Sequence, residues 1–307
     1  MSAREHRAVT VTGLIAGFAI AATLSSCSSS TPPSTDDVLK IGAIPDQNPE
    51  KLNRLYGSLS AELNAALEVP VKYIPVSNYA AAVSAFRTGS LDVVWFGGLT
   101  GVQARLQTPG AKVLAQRDID AKFTSVFIAN GASGLRPITS SDQLVQLKGR
   151  RLAFGSESST SGRLMPQYFL AENGVSITDL AGGGPGFSGS HDATIAVVQS
   201  GAYDVGALNE QVWRSNVAEG RVDPTKVAVI WRRPSYADYY WLARSDLYRR
   251  FGSGFTERVQ NALLSLSAET EAGSEILELF GAERFIPARD EDYKKIESVG
   301  RDLGKIR

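Results

Sequence analysis

The stretch Arg150–Gly174, RRLAFGSESSTSGRLMPQYFLAENG, gives the clearest indication of the fold class. Its apolar start predicts a buried strand that ends at Gly155, and its second half predicts a helix that ends at Gly174. Four consecutive hydroxyl residues, Ser158–Ser161, fill the turn between these elements, and Gly162 follows them. A strand that leads through a polar turn into a helix is the building unit of α/β proteins. The stretch therefore predicts an α/β fold.

Strands and helices alternate on both sides of this unit. Before it, VLKIGAIP and LDVVWFG predict strands, and NYAAAVSAFRTG between them predicts a helix. After it, YDVGAL and KVAVIWR predict strands that flank the helical pattern NEQVWRSNVAEG. This alternation predicts mainly parallel sheets with helices on both faces.

Breaks in the alternation divide the chain into two lobes. A Gly/Ser/Pro break follows Asn130, and a second junction lies near Arg232. We expect residues 38–129 and 233–307 to form lobe 1 and residues 130–232 to form lobe 2. Each lobe is expected to be a mixed sheet flanked by helices, and two hinge crossovers join them. The cleft between the lobes lies where open α/β sheets bind ligands, at the carboxyl ends of strands.

The N-terminal residues have the pattern of a targeting segment and a tether. Residues 1–26 combine a basic start with a short apolar core, and Leu24–Cys27, LSSC, looks like a bacterial lipobox. We expect a lipoprotein signal peptide at residues 1–26, diacylation of Cys27 and a flexible tether at residues 27–37. The protein would then be anchored by lipid on the extracytoplasmic (periplasmic) face of the cell membrane. The alternative is a plain signal anchor with an incidental cysteine.

The composition excludes several classes of protein. Lys+Arg and Asp+Glu number 32 each, so the overall charge does not indicate a nucleic-acid partner. Cys27 is the only cysteine, which excludes disulfides and cysteine-based zinc sites. The two histidines are His6 and His191, too few for a His-rich metal site. We therefore expect neither a cofactor nor a metal.

The hydroxyl cluster of the opening stretch has three interpretations. A helix N-terminus carries free N–H groups and partial positive charge, so Ser159, Thr160 and Ser161 together with Gly162 can form an anion cradle. The alternative is an ordinary N-cap among surface serines, since one cap residue suffices. A serine nucleophile is disfavoured, because the spacing is not G-x-S-x-G and His191 is the one candidate histidine base. No Lys follows the glycine, so the stretch is not a P-loop.

Other polar residues fall near predicted strand ends and helix starts. His191 begins a helix after a Gly/Ser loop and could donate to an oxyanion or serve only the fold. Glu210 and Gln211 follow the strand YDVGAL, which gives them cleft-facing geometry in a parallel sheet. Tyr79 opens a helix. Asp238 precedes the last strand pattern, where its alternative role is that of a turn former.

Four stretches together resemble a known family: YAAAVSAFRTGSLDVVWFG, SSTSGRLMP, GSHDATIAVVQSGAYDVGALN and PSYADYYW. The chain is similar, from about Val38 to Leu303, to the phosphonate/phosphate-binding lipoproteins of ATP-driven (ABC) importers. These are periplasmic binding proteins of the type II fold. A nearer resemblance, through IPDQNPEKLNRLYGSL and ALNEQVW, is to a branch labelled selenate-binding.

The resemblance implies a set of ligand-binding residues and partners. In the family, the Ser-Thr-Ser turn holds the oxyanion, and further contacts come from a tyrosine, a histidine and two acidic residues. These positions map to Ser159, Thr160, Ser161, Tyr79, His191, Glu210 and Asp238. Two departures matter: Gln211 competes with Glu210 for the register, and a second cleft tyrosine is replaced by Phe123, or by Thr124 if the register slips. The implied partners are the permease and ATPase subunits of the importer.

The two carboxyl residues bear on which ion is bound. Phosphate, phosphite and phosphonates can carry a P–O–H donor, whereas sulfate and selenate are acceptors only near neutral pH. An unpaired buried acceptor costs roughly 1–3 kcal/mol, and more when it is charged. If Glu210 or Asp238 faces the cleft, we expect phosphorus oxyanions to bind more tightly than selenate or sulfate. The alternatives are selenate or sulfate binding, a serine-dependent phosphoester hydrolase, and a lipid-tethered adhesin or sensor.

Overall fold

The computed structural model describes residues 37–232 and 234–306, together with Met1 and Ala8. Cys27, the predicted lipidation site, lies outside the described residues. Within the described part of the chain, no helix is both long enough and apolar enough to cross a membrane.

The strands form two large mixed sheets and one small pair. The first sheet has the order β2-β1-β3-β11-β4, the second has the order β10-β6-β9-β7-β8, and β12 pairs with β5. In chain order the strands are β1 Leu39–Ala43, β2 Val71–Tyr73, β3 Val93–Phe96, β4 Lys112–Val113, β5 Ala115–Arg117, β6 Ser125–Asn130, β7 Leu152–Phe154, β8 Gly186–Phe187, β9 Val205–Asn209, β10 Val227–Arg232, β11 Tyr240–Ala243 and β12 Phe285–Pro287.

Helices flank both sheets. They are α1 Pro49–Leu67, α2 Tyr79–Arg87, α3 Gly98–Gln107, α4 Met165–Glu172, α5 His191–Gln199, α6 Glu210–Ala218, α7 Tyr248–Phe251, α8 Phe255–Leu264, α9 Glu271–Phe280 and α10 Lys294–Asp302. The lobe built on the first sheet is called the first lobe below, and α4, α5 and α6 belong with the second sheet in the second lobe. The predicted two-lobed α/β architecture is confirmed.

Parallel and antiparallel pairs occur in each sheet. In the first sheet β1 runs parallel to β2 and β3, and β11 runs antiparallel to β3 and β4. In the second sheet β7 runs parallel to β8 and β9, whereas β6 runs antiparallel to β9 and β10. The antiparallel strands are those next to the crossovers, because the chain changes sheets there.

The first crossover lies earlier than the sequence predicts. The predicted boundary at Asn130 leaves residues 125–129 in lobe 1, but β6 hydrogen-bonds only within the second sheet. Both crossovers meet instead at Phe123 and Tyr236, whose backbones exchange hydrogen bonds of 2.8 and 3.0 Å. The apolar pattern of β6 fits either sheet, and the Gly/Ser/Pro break after Asn130 is a loop within the second lobe.

Three local features bring the predicted site residues together. The register that pairs Tyr240 with Phe96 places Asp238, two residues before β11, beside Gly98, two residues after β3. A Cβ on Gly97 would lie 3.3 Å from Thr160 Oγ1, so glycine permits the close approach of the two lobes. In α2, the Asn78 side chain accepts from the N–H of Ala81, which fixes the start of the helix at Tyr79.

Candidate functional site

The hydroxyl cluster is buried at the contact between the lobes. Ser159, Thr160 and Ser161 are each at most 2% exposed, which rules out a patch of surface serines. Ser159 Oγ accepts from the N–H of Gly162 at 2.9 Å and so caps the π-helical turn Thr160–Leu164, which leads into α4. Thr160 Oγ1 accepts from the N–H of Leu99, in the first turn of α3, also at 2.9 Å. One hydroxyl therefore caps its own helix, while another contacts the N-terminus of a helix in the first lobe.

Asp238 is the carboxyl group of this cluster. It is fully buried, and its Oδ1 accepts from the N–H of Gly98 at 2.9 Å. Its buried Oδ2 has no partner at good hydrogen-bond geometry among the described residues, and weaker hydrogen bonding from the side chains of Thr160 and Ser161 acts to lower its pKa. Burial raises the pKa of Asp238 to about 7, and the negative charge of Asp120 adds to this effect. Asp238 is thus a buried acid that titrates near neutral pH, not a turn former.

Two further hydroxyl groups lie near Asp238 without a well-formed hydrogen bond of their own. Tyr79 is 2% exposed, and the hydroxyl oxygens of Tyr79 and Ser161 are buried without a hydrogen-bond partner among the described residues. Burial is the largest cause of the raised pKa of Tyr79, and the nearby carboxyl of Asp238 also raises it. Tyr79 therefore stays protonated and able to donate.

His191 lies beside the cradle in one neutral tautomer. Its Nδ1 accepts from the N–H of Asn209 at 3.4 Å, so the ring proton lies on Nε2, 3.2 Å from the hydroxyl of Tyr239. Complete burial lowers the pKa of His191 to about 3. A Cβ on Gly162 would lie 3.1 Å from its Cε1, which shows how closely the ring packs on the cradle. A neutral ring with both nitrogens engaged is poorly placed to act as a base for Ser159.

Glu210, which the sequence predicts to face the ion, is held by hydroxyl and arginine side chains. Its carboxylate accepts from Thr124 Oγ1, from Arg214 Nη2 at 2.7 Å and from Arg232 Nε at 3.1 Å. Burial works to raise its pKa, but the hydrogen bonds from Thr124 and Arg214 outweigh it and hold the pKa below the usual value. The structure therefore places Glu210 in an ion cluster and does not bring it to Asp238. Its neighbour Gln211 packs against Gly281 of the first lobe.

A family profile described as the phosphonate periplasmic substrate-binding protein of ABC transporters matches residues 41–293. The chain belongs to this family. Its sequence is 53% identical to that of PhnD1 from Prochlorococcus marinus (strain MIT 9301), a probable ABC transporter phosphite binding protein. The match runs over 274 residues and covers 89% of this chain and 92% of the relative.

Solved structures and more distant relatives agree with this assignment. The structure of the same PhnD1 in complex with methylphosphonate matches with a TM-score of 0.86, over 88% of this chain and 99% of that one. The phosphate-import protein PhnD of Mycolicibacterium smegmatis (strain ATCC 700084 / mc(2)155) is 25% identical over 263 residues, 80% of this chain and 79% of the relative. The predicted family and type II periplasmic binding fold are confirmed, and these relatives are described as transport components rather than enzymes.

Several buried polar residues of this periplasmic substrate-binding protein were not predicted from the sequence. The hydroxyl of Tyr239 receives hydrogen bonds from Asn209 Nδ2 at 3.1 Å and from His191 Nε2. Ser125 Oγ lies 2.5 Å from the hydroxyl of Tyr236 and donates to the carbonyl of Ser161. Tyr239 was detectable as the neighbour of Asp238. Ser125 lies inside an apolar pattern that hides its role.

Asp46 is a second buried acid of this region. It follows β1 and is 3% exposed, and its backbone carbonyl accepts from the N–H of His191 at 3.0 Å. Burial raises its pKa to about 6, while the Tyr239 hydroxyl and the charge of Arg117 act to lower it. Its position at the carboxyl end of a parallel strand was the available sequence signal.

The arrangement combines neutral donors with one acceptor. Hydroxyl protons come from Tyr79, Thr160 and Ser161, and Asp238 offers an unpartnered oxygen. The described residues contain no group of three or more His, Cys, Asp or Glu that could hold a metal ion. Such a site suits an oxyanion that brings a proton with it.

Proposed function

We propose that this protein is an extracytoplasmic solute-binding lipoprotein that captures a phosphorus oxyanion, of the phosphate, phosphite and phosphonate class, between its lobes. It then delivers the ion to the permease of an ABC importer, whose ATPase subunits drive transport. Membership of the family supports the transport role. The descriptions of the relatives support the ligand class, since they name phosphite, phosphate and methylphosphonate.

The single observation that carries the choice of ion is the buried, unpartnered Oδ2 of Asp238. A phosphorus oxyanion can carry one proton into the site near neutral pH at small cost, because the last ionisation of such groups falls near pH 6 or above. Its P–O–H group can donate to Oδ2, and the Tyr79 and Ser161 hydroxyls can donate to its other oxygens. Hydrogen bonds to a charged group contribute about 1.5–3 kcal/mol, which gives a specific gain to a protonated ion.

Sulfate and selenate gain less from the same site. They bring no proton, so Asp238 must itself be protonated to avoid placing two negative charges together. Since the pKa of Asp238 is about 7, this protonation becomes unfavourable above neutral pH. The selenate or sulfate alternative therefore lacks support from the site.

The enzyme and adhesin alternatives also lack a supporting contact. His191, the one histidine outside residues 1–26, has both ring nitrogens engaged, and Ser159 Oγ is used as a cap. An adhesin or sensor would have no use for a buried carboxyl faced by free hydroxyls. Failure of the purified protein to bind any small anion would favour that alternative.

The anchor and the lobe division complete the proposal. Cys27 is proposed as the diacylated residue, with a signal peptide before it and a tether after it. Closure is proposed to be a hinge motion about the paired crossovers at Phe123 and Tyr236. Replacement of Cys27 by Ala should release the protein from the membrane fraction. Retention of the variant in that fraction would remove the lipid anchor from the account.

Calorimetry with a panel of anions tests the function. Phosphite, methylphosphonate, phosphate, sulfate and selenate are titrated into the purified protein at pH 6 and pH 8. We expect at least one phosphorus oxyanion to bind more tightly than sulfate and selenate at both pH values, by about tenfold or more at pH 8. Tighter binding of selenate than of every phosphorus oxyanion would overturn the choice of ion.

A further inference from the structure

The start of α1 in the first lobe contacts α5 and α6 in the second lobe, beside the candidate site. Lys51 Nζ donates to Ser215 Oγ at 2.8 Å and lies 3.5 Å from Glu219 Oε1. The side chain of Lys51 is only 12% exposed, although lysine normally extends into solvent. A lysine held this deeply between two lobes indicates a specific contact rather than a chance surface pair.

The second lobe holds the partners of Lys51 in place by its own contacts. Ser215 Oγ donates to Glu219 Oε1 at 2.6 Å, and Arg221 forms an ion pair with the same carboxylate. Burial acts to raise the pKa of Glu219, but the hydrogen bond from Ser215 and the charge of Lys51 hold it below the usual value. Residues of the second lobe therefore keep Glu219, directly after α6, charged and hold it in place. Lys51 is the first-lobe residue that contacts it.

A second contact joins the same two surfaces. The N–H of Asn48, the residue that caps α1, donates to Asp192 Oδ2 at 2.6 Å. Asp192 Oδ1 accepts from Asn216 Nδ2 of α6 at 2.7 Å, so the carboxylate bridges three elements. Asp192 follows His191, whose N–H contacts the carbonyl of Asp46. The contact is thus continuous with the buried site, but it uses none of the groups proposed to bind the anion.

These bonds exist only while the lobes are together. The contacts of Lys51 with Ser215 and Glu219, and of Asn48 with Asp192, each join a first-lobe group to a second-lobe group. Separation of the lobes about the crossovers breaks them and returns their donors and acceptors to water. Release of a trapped anion requires that separation. A more stable contact between the lobes therefore slows the release of any bound anion.

We propose that Lys51 and Asn48, with their receptors Ser215, Glu219 and Asp192, form an interlobe latch that sets how long a captured anion is retained. The inference rests on the proposed function and adds to it a determinant of retention outside the ion site. Because Glu219 is 38% exposed, its ion pair is partly solvated and contributes modestly, which suits a contact that must open in each transport cycle. Lys51 is a positioning residue: it acts on the lobes and not on the ion.

Replacement of Lys51 by Met tests the latch, because Met keeps the apolar stem and removes the ammonium group. Dissociation rates of methylphosphonate and phosphite are measured by stopped flow in the full chain. We expect both rates to rise by the same factor, about three- to tenfold, with association rates changed less than twofold. Lys51→Arg should restore rates close to wild type, since a guanidinium can reach the same acceptors.

Lys72→Met is the matched control, because Lys72 is an exposed first-lobe lysine on β2. It should leave all rates unchanged. An unchanged dissociation rate in Lys51→Met would overturn the latch, as would an effect confined to one of the two anions. Small-angle scattering of the unliganded proteins adds an independent readout, with Lys51→Met expected to have the larger radius of gyration. If the wild type binds no anion, the proposed function is refuted. The latch is then tested by the radius of gyration alone, and equal radii in wild type and Lys51→Met refute it as well.

Discussion

Asp238 and Glu210 are both carboxyl residues at strand ends, and the sequence predicts both to face the ion, but their surroundings differ. Asp238 is fully buried, has one hydrogen bond from a backbone N–H and leaves Oδ2 unpartnered within the described chain. Glu210 is held by a threonine and two arginines. The pKa of Asp238 rises to about 7, whereas the pKa of Glu210 lies below its usual value.

The two carboxyls differ in how far their own surroundings satisfy them. Arg214 and Arg232 satisfy Glu210, so it gains little from a ligand. Asp238 is unsatisfied, and an unsatisfied buried acceptor is stabilised by any ligand that brings a proton. Both are carboxyl residues next to a strand, Asp238 before β11 and Glu210 after β9, and their partners give them different properties.

The largest expected effect comes from Asp238→Ala. Removal of the acceptor should weaken methylphosphonate binding about 10- to 100-fold, the range for a hydrogen bond to a charged group. Isothermal titration calorimetry at pH 7 measures the change. The circular dichroism spectrum serves as the control for folding. An affinity within twofold of wild type would show that Asp238 does not face the ion.

Thr160→Ala should have the next largest effect. The variant loses a donor to the ion and leaves the N–H of Leu99 without its acceptor. We expect the affinity for methylphosphonate to fall by about 1–2 kcal/mol. Ser159→Ala is the matched comparison: it should lower the free energy of unfolding by about 1 kcal/mol through loss of the cap, with a smaller effect on binding. The opposite pattern would make Ser159 the ligand contact.

The dependence of stability on pH isolates Asp238 from its neighbours. Its pKa is about 7 in the folded protein and near 3.8 when unfolded, so the folded state binds the extra proton between these values. Its contribution to stability is therefore present below pH 4 and is lost as pH rises to 7. Asp46 acts in the same direction and His191, with its lowered pKa, in the opposite one, so the quantity to measure is a difference.

The free energies of unfolding of wild type and of Asp238→Asn are measured by urea denaturation from pH 4.5 to 7.5 without ligand. The second value is subtracted from the first at each pH. The stability of wild type relative to the variant should decline with rising pH, by about 1 kcal/mol per pH unit where the slope is steepest. Parallel stability curves would contradict the burial of an ionisable Asp238.

Glu210→Gln should have the smallest effect on binding. The substitution weakens the contacts of Arg214 and Arg232, whose side chains are 73% and 50% exposed and can return to water. We expect methylphosphonate affinity within about twofold of wild type, together with a small loss of thermal stability. A loss as large as that of Asp238→Ala would abolish the distinction between the two carboxyls.

The fold was more predictable than the site. Apolar runs and helical patterns located both α/β series, and the hydroxyl turn at Ser159–Ser161 followed from its place between a strand and a helix. The sheet to which β6 belongs could not be read from its apolar pattern, because both faces of either sheet are covered. The Arg214 partner of Glu210, four residues along α6, is a pair that a helical pattern encodes, whereas its partners Thr124 and Arg232 are distant in sequence and no local pattern encodes them.

The selection of the ion by Asp238 is tested most directly by the ratio of methylphosphonate to sulfate affinity at pH 8, measured by calorimetry in wild type and in Asp238→Asn. At this pH the wild-type carboxyl is largely ionised and should reject sulfate, whereas the amide of Asn can donate to it. We expect a ratio that favours methylphosphonate in wild type and falls about tenfold or more in Asp238→Asn. An equal ratio in the two proteins would contradict the claim that Asp238 selects the ion.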